Sequence, residues 1–496
     1  MDLLKIGKEL NFMTVISHKI VTEVPSSYMP TLIDFIYVQY LFPQEKKFAQ
    51  FSKKIIDGFP SLLYVVLDEK TSQPSLEVEI KGSNPLEINL HPINENTSPK
   101  IIELSKQDII IAIQVFEEKT RKRTLYFAWR EGEKILPEVP RKKEKTFKRL
   151  FLETQILFFV VFITLGMFIF LFISTIYPDA LWVAPVILIS IQFVFVFFSS
   201  NIISRNADWI ITEKNPNIHI LTYHLPLTQG KTFNQILTQK QKLLIKKEIY
   251  AKILTKDGEI DCASANEVFI KHGITCTPEN LLSKKINVYK LIKKIASKFE
   301  FPIPKIVVSN TMVPNAATSG PSPSRGVVLI TTGLLVQLEE DEVLSVVGHE
   351  FGHLKGRDPL LLYGLTSAEF LFRFYVLFPI FPFIFSSFLF IVYFWLVMFV
   401  IFFIAKVFEA RADLVSALEI GNPKVLAGAL EKIGFQRLLY ERASSYRIQE
   451  WLGLDPHPPI YFRVKRLKNL KVSPNKNEHR LIQSIRDVLK GFADAF

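Results

Sequence analysis

The sequence predicts a mixed α+β membrane protein, on three observations. Apolar runs of about 20 residues come in pairs, and each is long enough to cross a bilayer as a helix. Elsewhere, short β-branched or alternating runs are bounded by Gly, Pro and Asn, the pattern of strands and turns. Finally, two segments flanking one apolar block carry His and carboxylate residues at helical spacing. The chain has 496 residues, too long for one ordinary domain and ample for a substantial core. The mean hydropathy of +0.22 is concentrated in blocks, which marks membrane spans rather than a uniformly apolar interior. A net charge of +12 fits anionic lipid at least as well as nucleic acid, because much of it lies beside those blocks. Cys262 and Cys276 are too few for a disulfide framework and read as reduced, cytosol-facing thiols. The opening Met1-Asp2-Leu3-Leu4-Lys5 mixes charged and apolar residues without a long apolar core, so no signal peptide is expected.

In chain order, residues 1–145 read as a soluble α/β domain without a chemical motif. Leu62–Leu67 and Ile109–Ile113 read as short buried strands, punctuated by Asn84-Pro85, Pro92 and Ser98-Pro99. His18 and His91 are isolated and read as packed or surface residues. Residues 146–203 read as a membrane hairpin. A basic cluster, Arg141 to Arg149, precedes an apolar run from Ile156 to Ile176; Tyr177-Pro178-Asp179-Ala180 turns; Leu181 to Ile203 is apolar again. The loop between the runs has no Lys or Arg, so the positive-inside rule places both ends of the hairpin in the cytosol.

Residues 204–282 read as a basic helical connector, opened by Gln239 to Lys247 and broken by a turn at Gly258. A helix-turn-helix for nucleic acid is conceivable there, but no residue specifies recognition. Lys305 to Val308 begins a strand. Val313–Thr318 and Val327–Thr332, on either side of Ser319-Gly320-Pro321-Ser322-Pro323, suggest a hairpin.

The chemistry centres on Gly348-His349-Glu350-Phe351-Gly352-His353, which carries H-E-x-x-H. On a helix, His349 and His353 stand one turn apart on one face and can reach one metal ion. Glu350 lies about 100° round, within reach of a water on that metal. Val343, Leu344, Val347, Phe351 and Leu354 fall on the opposite side, giving the helix a buried back. Two incidental surface histidines are the bland alternative, and a third ligand is needed to displace it. Glu409 supplies one, on a second helix (Lys406 to Asp413) with Asp413 on the same face. Two His and one Glu form an established set for catalytic zinc, and Asp413 would orient a ligand histidine. An acidic pair at this spacing is usually a solvated face, but beside H-E-x-x-H the metal reading is preferred.

The block between the histidines and Glu409 is itself apolar, from Phe374 to Ala405. A single crossing would put about 30 Å of hydrocarbon between ligands that must share one ion. Two spans over about 361–405, with Glu369 and Arg373 paired at i, i+4, satisfy the constraint and are preferred; a re-entrant hairpin kinked or turned at Pro379 and Pro382 also satisfies it. Beyond it, Asn422-Pro423 starts a helix, Leu438–Trp451 reads as helical, and Asp455-Pro456-His457-Pro458-Pro459 is a rigid loop. Residues 471–496 read as a charged helical tail.

The order of motifs resembles the HtpX-type membrane zinc endopeptidases, relatives of the CAAX prenyl endopeptidases. It runs Pro314-Asn315-Ala316-Ala317, Gly333-Leu334-Leu335, H-E-x-x-H ending in Arg357-Asp358, E-x-x-A-D at Glu409–Asp413, then His457-Pro458-Pro459 and Arg463. It covers residues 283–470 and the hairpin before them. The resemblance implies a zincin-like helical catalytic domain with a small β-sheet, interrupted by the second membrane hairpin. It implies one zinc per chain and, as substrates, misfolded or damaged membrane proteins or unfolded polypeptide. It places Asn315 on a strand bordering the cleft, and His457 and Arg463 where they would stabilise an oxyanion. Without it, the last two belong equally well to a loop capping the Tyr461–Leu470 helix. Residues 1–145 depart from the family pattern.

The expected protein is therefore a multi-pass cell-membrane endopeptidase, its N-terminal and catalytic parts facing the cytosol. A CAAX-type prenyl-protein endopeptidase fits less well, having more spans than these two hairpins. A membrane scaffold or receptor with a structural metal site is the non-enzymatic alternative, and it leaves Glu350 without a purpose.

Overall fold

The structure is a computed structural model. It describes residues 15–44, 46–68, 71–94, 97–133, 135, 155–226, 237–253, 260–385, 387–470 and 479–496. The Arg141–Arg149 cluster, the turn at Gly258 and the opening residues lie outside that set. Helix and sheet are mixed, and the chain divides into two compact units: residues 1–127 with 219–284, and residues 128–218 with 285–496.

In the first unit a five-stranded antiparallel sheet runs in the order Ile16–Ile20, Leu86–Pro92, Pro74–Lys81, Phe59–Leu67, Phe48–Ile56. Leu76, Val78, Ile80, Leu86, Ile88 and Leu90 alternate along two of its strands and are fully buried against Leu32, Ile109, Ile113 and Phe116. The strand expected at Ile109–Ile113 is instead part of the helix Pro99–Arg121. Ser98 caps it by accepting from the Lys100 amide, and Pro99 takes the first helical position. Ile109, Ile113 and Phe116 then share one buried face, and that packing outweighs the β preference of an isoleucine run.

The connector expected to be helical over 204–282 also contains the strands Trp209–Ile211 and Asn217–His224. The second of these joins Thr124–Arg130 and Leu281–Asn287 in a three-stranded sheet. Its helices are Gln239–Lys252 and Cys262–Ile270, the latter begun by a capping box on Asp261. Nor are the two cysteines free thiols: Cys262 and Cys276 are disulfide-bonded, with Cα atoms 5.6 Å apart. The chain reverses at Gly273, whose φ of +74° suits glycine, and the Asn266 side chain accepts from the Cys276 amide at 3.3 Å. Counting cysteines could not anticipate this fold-back.

His224 is buried, with Nδ1 3.0 Å from the Thr124 hydroxyl. Burial pushes its pKa down from 6.5 to about 4. Between those values the unfolded chain binds the extra proton and the folded one does not. Stability is therefore full above pH 6.5 and falls as pH drops towards 4, by about 3 kcal/mol in all. Amide exchange across Asn217–His224, corrected for intrinsic rate, should accelerate over that window, and His224→Gln should flatten the dependence. An unchanged slope in the variant would remove histidine as its source.

In the second unit, three helices among the described residues are long and apolar enough to cross a membrane: Pro178–Arg205, Asp358–Ile380 and Leu389–Ile420. Gln155–Ile176 is a helix of 22 residues, apolar along its Thr164–Ile176 stretch. Large apolar side chains on these helices, among them Phe168, Phe172, Phe388, Ile391 and Trp395, are exposed. That is the surface a lipid-facing helix presents. Glu369 and Arg373 pair at 3.2 Å, and the Tyr393 hydroxyl donates to Glu369 at 2.8 Å, tying the second pair of helices together.

A four-stranded sheet follows the order Ala316–Ser319, Val327–Thr331, Lys305–Ser309, Trp209–Ile211. The hairpin of Ala316–Ser319 with Val327–Thr331 is antiparallel, and the shorter partner forms the edge.

Candidate metal centre

Two helices build the centre. The motif helix, Glu340–Gly356, starts at a capping box of Glu339 and Glu342. Val343, Leu344, Val347, Phe351 and Leu354 bury its back, leaving the histidines on the other side. The carboxylate helix, Leu389–Ile420, continues from the apolar run into Glu409 and Asp413. Its close approach depends on glycine: a Cβ on Gly352 would meet the Ala412 Cα at 2.9 Å, and one on Gly348 the Ile420 side chain at 2.8 Å. Asp358–Ile380 and the first part of Leu389–Ile420, each helix long and apolar enough to cross a membrane, lie between the histidines and Glu409 in sequence.

His349 Nε2 and His353 Nε2 are 3.2 Å apart. Glu409 Oε2 lies 3.3 Å from the first and Oε1 3.2 Å from the second. Each histidine is turned by its other nitrogen: His349 Nδ1 is 2.8 Å from Asp413 Oδ1, and His353 Nδ1 is 2.8 Å from Asp358 Oδ2. A ring that donates Nδ1–H to a carboxylate leaves Nε2 as an acceptor. Two lone pairs and a carboxylate oxygen would then face one another inside a buried cleft, an arrangement that a cation between them relieves. Zinc fits the donor set: tetrahedral ligands about 2.1 Å from it stand about 3.4 Å apart, comparable with the separation of the two Nε2 atoms and of each from its nearer Glu409 oxygen. Glu409 Oε2 is also buried without a hydrogen-bond donor of its own, as a metal ligand would be. Burial by itself would lower both imidazole pKa values, but the surrounding carboxylates outweigh it and raise them, His353 well above 6.5. The site is electron-rich and attracts positive charge.

The other residues divide by side. Glu350 is outside the ligand set; the Thr318 hydroxyl lies 3.2 Å from its Oε2 and 3.1 Å from its carbonyl oxygen. Thr318 belongs to the edge strand, which sets that strand beside the motif helix. His457 stands on the open side, half-exposed, with Nε2 3.7 Å from Glu409 Oε1 and Nδ1 2.8 Å from Asp455. Arg463 does not: it is buried behind the ligands, with Nε and a terminal nitrogen on Asp413 at 2.8 and 2.7 Å. Asn315 immediately precedes the edge strand, and its backbone N–H donates to the Thr331 hydroxyl at 2.9 Å.

Asp358, Arg411, Thr318 and Asp455 acquire roles that sequence did not disclose. Asp358 follows the helix stop at Arg357, whose φ of +53° folds the chain back so that the carboxylate meets His353. Arg411 pairs with its other oxygen.

The site has the donor set of a metal centre built from two histidines and one glutamate. Residues 283–471 match the model of Peptidase family M48. A protease HtpX homolog of Thermodesulfovibrio yellowstonii is 40% identical over 74 residues, 15% of this chain and 26% of that protein. One of Pyrococcus furiosus is 39% identical over the same shares. The chain thus spans about a quarter of the length of these curated relatives. The crystal structure of S. mikatae Ste24p overlaps 36% of this chain and 49% of that chain, with 19% identity and a TM-score of 0.28.

Proposed function

We propose that the protein is an integral-membrane zinc endopeptidase acting on misfolded or damaged membrane proteins. The observation that carries this is the cluster of His349, His353 and Glu409, whose Nε2 atoms lie 3.2 Å apart and 3.2 to 3.3 Å from the nearer Glu409 oxygen, beside a carboxylate that is not part of it. Zinc held by those three residues would polarise the scissile carbonyl and acidify a water. Glu350 takes the proton from the attacking water and delivers it to the departing amine. Thr318 holds the Glu350 carboxylate in place for both transfers. His457, oriented by Asp455, offers Nε2 to the oxygen that becomes negative in the transition state. The outer edge of Ala316–Ser319 can receive an extended substrate by main-chain pairing, a mode that tolerates varied side chains. That tolerance suits unfolded segments, and the apolar helices leading into the centre suit substrates from the bilayer.

The scaffold reading is weaker, because a purely structural site requires no poised base. A cytosolic catalytic side rests on the basic cluster before the first span. The Cys262–Cys276 disulfide favours an oxidising side and is the observation that opposes it.

Metal removal tests the proposal. The purified chain should contain one zinc, lose cleavage of an unfolded membrane-protein substrate on treatment with 1,10-phenanthroline, and regain it with added zinc. Cleavage that persists in metal-free protein would refute the proposal.

A further inference from the structure

Three prolines in Asp455-Pro456-His457-Pro458-Pro459 remove the amides by which a loop usually holds itself. Its shape must be imposed from outside. The downstream end is fixed by Glu441, whose carboxylate accepts from the Ile460 and Tyr461 amides at 2.9 and 2.6 Å. The upstream end is fixed by the carboxylate helix. Lys406 is 1% exposed, and its Nζ donates to the carbonyls of Gly453 at 3.0 Å and Asp455 at 2.6 Å. Asp455 then passes that constraint on. One carboxylate oxygen accepts from the His457 amide and faces His457 Nδ1, both at 2.8 Å, while the other pairs with Arg437.

Lys406 lies one turn before Glu409, and with Asp413 the three occupy one face of the helix. The helix that carries the acidic ligand therefore also holds the loop that carries His457. A buried ammonium is a costly way to fill space, since a methionine would occupy it without desolvating a charge. The carbonyls it grips are the ones that set the loop.

Resting on the peptidase reading above, we infer that Lys406 is a positioning residue for the reaction. Its ammonium ties the Gly453–Asp455 main chain to the ligand-bearing helix and so determines where the His457 imidazole stands relative to Glu409. Lys406 acts through His457 and contributes nothing to holding the metal.

The test uses the full chain with Lys406→Met, Lys406→Arg, His457→Ala and the Lys406→Met/His457→Ala double variant. Zinc content, amide exchange across residues 453–460, and kcat and KM are read for each. Lys406→Met should keep its zinc, exchange faster within 453–460, and lose about 10- to 100-fold in kcat with KM nearly unchanged. In the His457→Ala background the same replacement should change kcat by less than about twofold, because coupled residues do not add. Lys406→Arg, which can still reach the carbonyls, should recover much of the rate. Unaltered exchange would overturn the inference, as would a rate loss that adds fully to that of His457→Ala. If the wild-type chain cleaves nothing, the peptidase reading falls, and the exchange measurement still decides whether Lys406 sets the loop.

Discussion

Glu350→Gln should leave a folded protein with its full zinc content and a cleavage rate lower by about a thousandfold, within the range for loss of a general base. The substitution keeps the side-chain volume and one oxygen. It removes the negative charge and with it the capacity to accept a proton. Glu350 makes no contact that holds the metal site together: His349 and His353 are oriented by Asp413 and Asp358, and the third ligand comes from another helix. What Glu350 does touch is the Thr318 hydroxyl, and a glutamine oxygen can take that place. Steady-state cleavage and metal analysis on the same preparation check the outcome. Wild-type cleavage in the variant would remove Glu350 from the chemistry. Loss of zinc along with activity would instead make it part of the binding set.

The spacing of His349, His353 and Glu409 was legible because a helix turns local sequence into a face, and the face can be counted off. Apolar helices between the histidines and Glu409 were legible for a different reason, since a shared ion and the bilayer thickness call for an even number of crossings or a re-entrant dip. The Asp358–His353 contact was not, because it depends on a left-handed residue at Arg357, whose side chain gives no warning of it. Ile109–Ile113 failed in the opposite way: its composition suggested a strand, and packing decided for a helix. The Cys262–Cys276 pairing hangs on one reversal at Gly273, which a residue count does not contain. Sequence thus disclosed what periodicity encodes, Asp413 beside His349 included, while Asp358, which orients the other histidine, emerged only from a turn of the chain.

Arg463 separates the two roles open to it. As an oxyanion donor it would face the cleft, and Arg463→Leu would lower kcat while stability and zinc affinity stayed as they were. In the structure its guanidinium grips Asp413 in a two-pronged pair at 2.8 and 2.7 Å, and another nitrogen lies 3.5 Å from Glu409. Asp413 is fully buried, so removing the cation strands its charge. Arg463→Leu should therefore destabilise the metal-free protein by about 3–5 kcal/mol. Asp413 also fixes the tautomer of His349, so zinc affinity should fall by about 10- to 100-fold with it. Arg463→Leu/Asp413→Asn should recover part of the stability, because it leaves no unpaired charge, yet remain weak for zinc. Thermal unfolding without metal and competition with a chelator of known affinity measure the two losses. A variant with unchanged melting and unchanged zinc affinity would return Arg463 to the cleft and show that the Asp413 pair holds nothing in place.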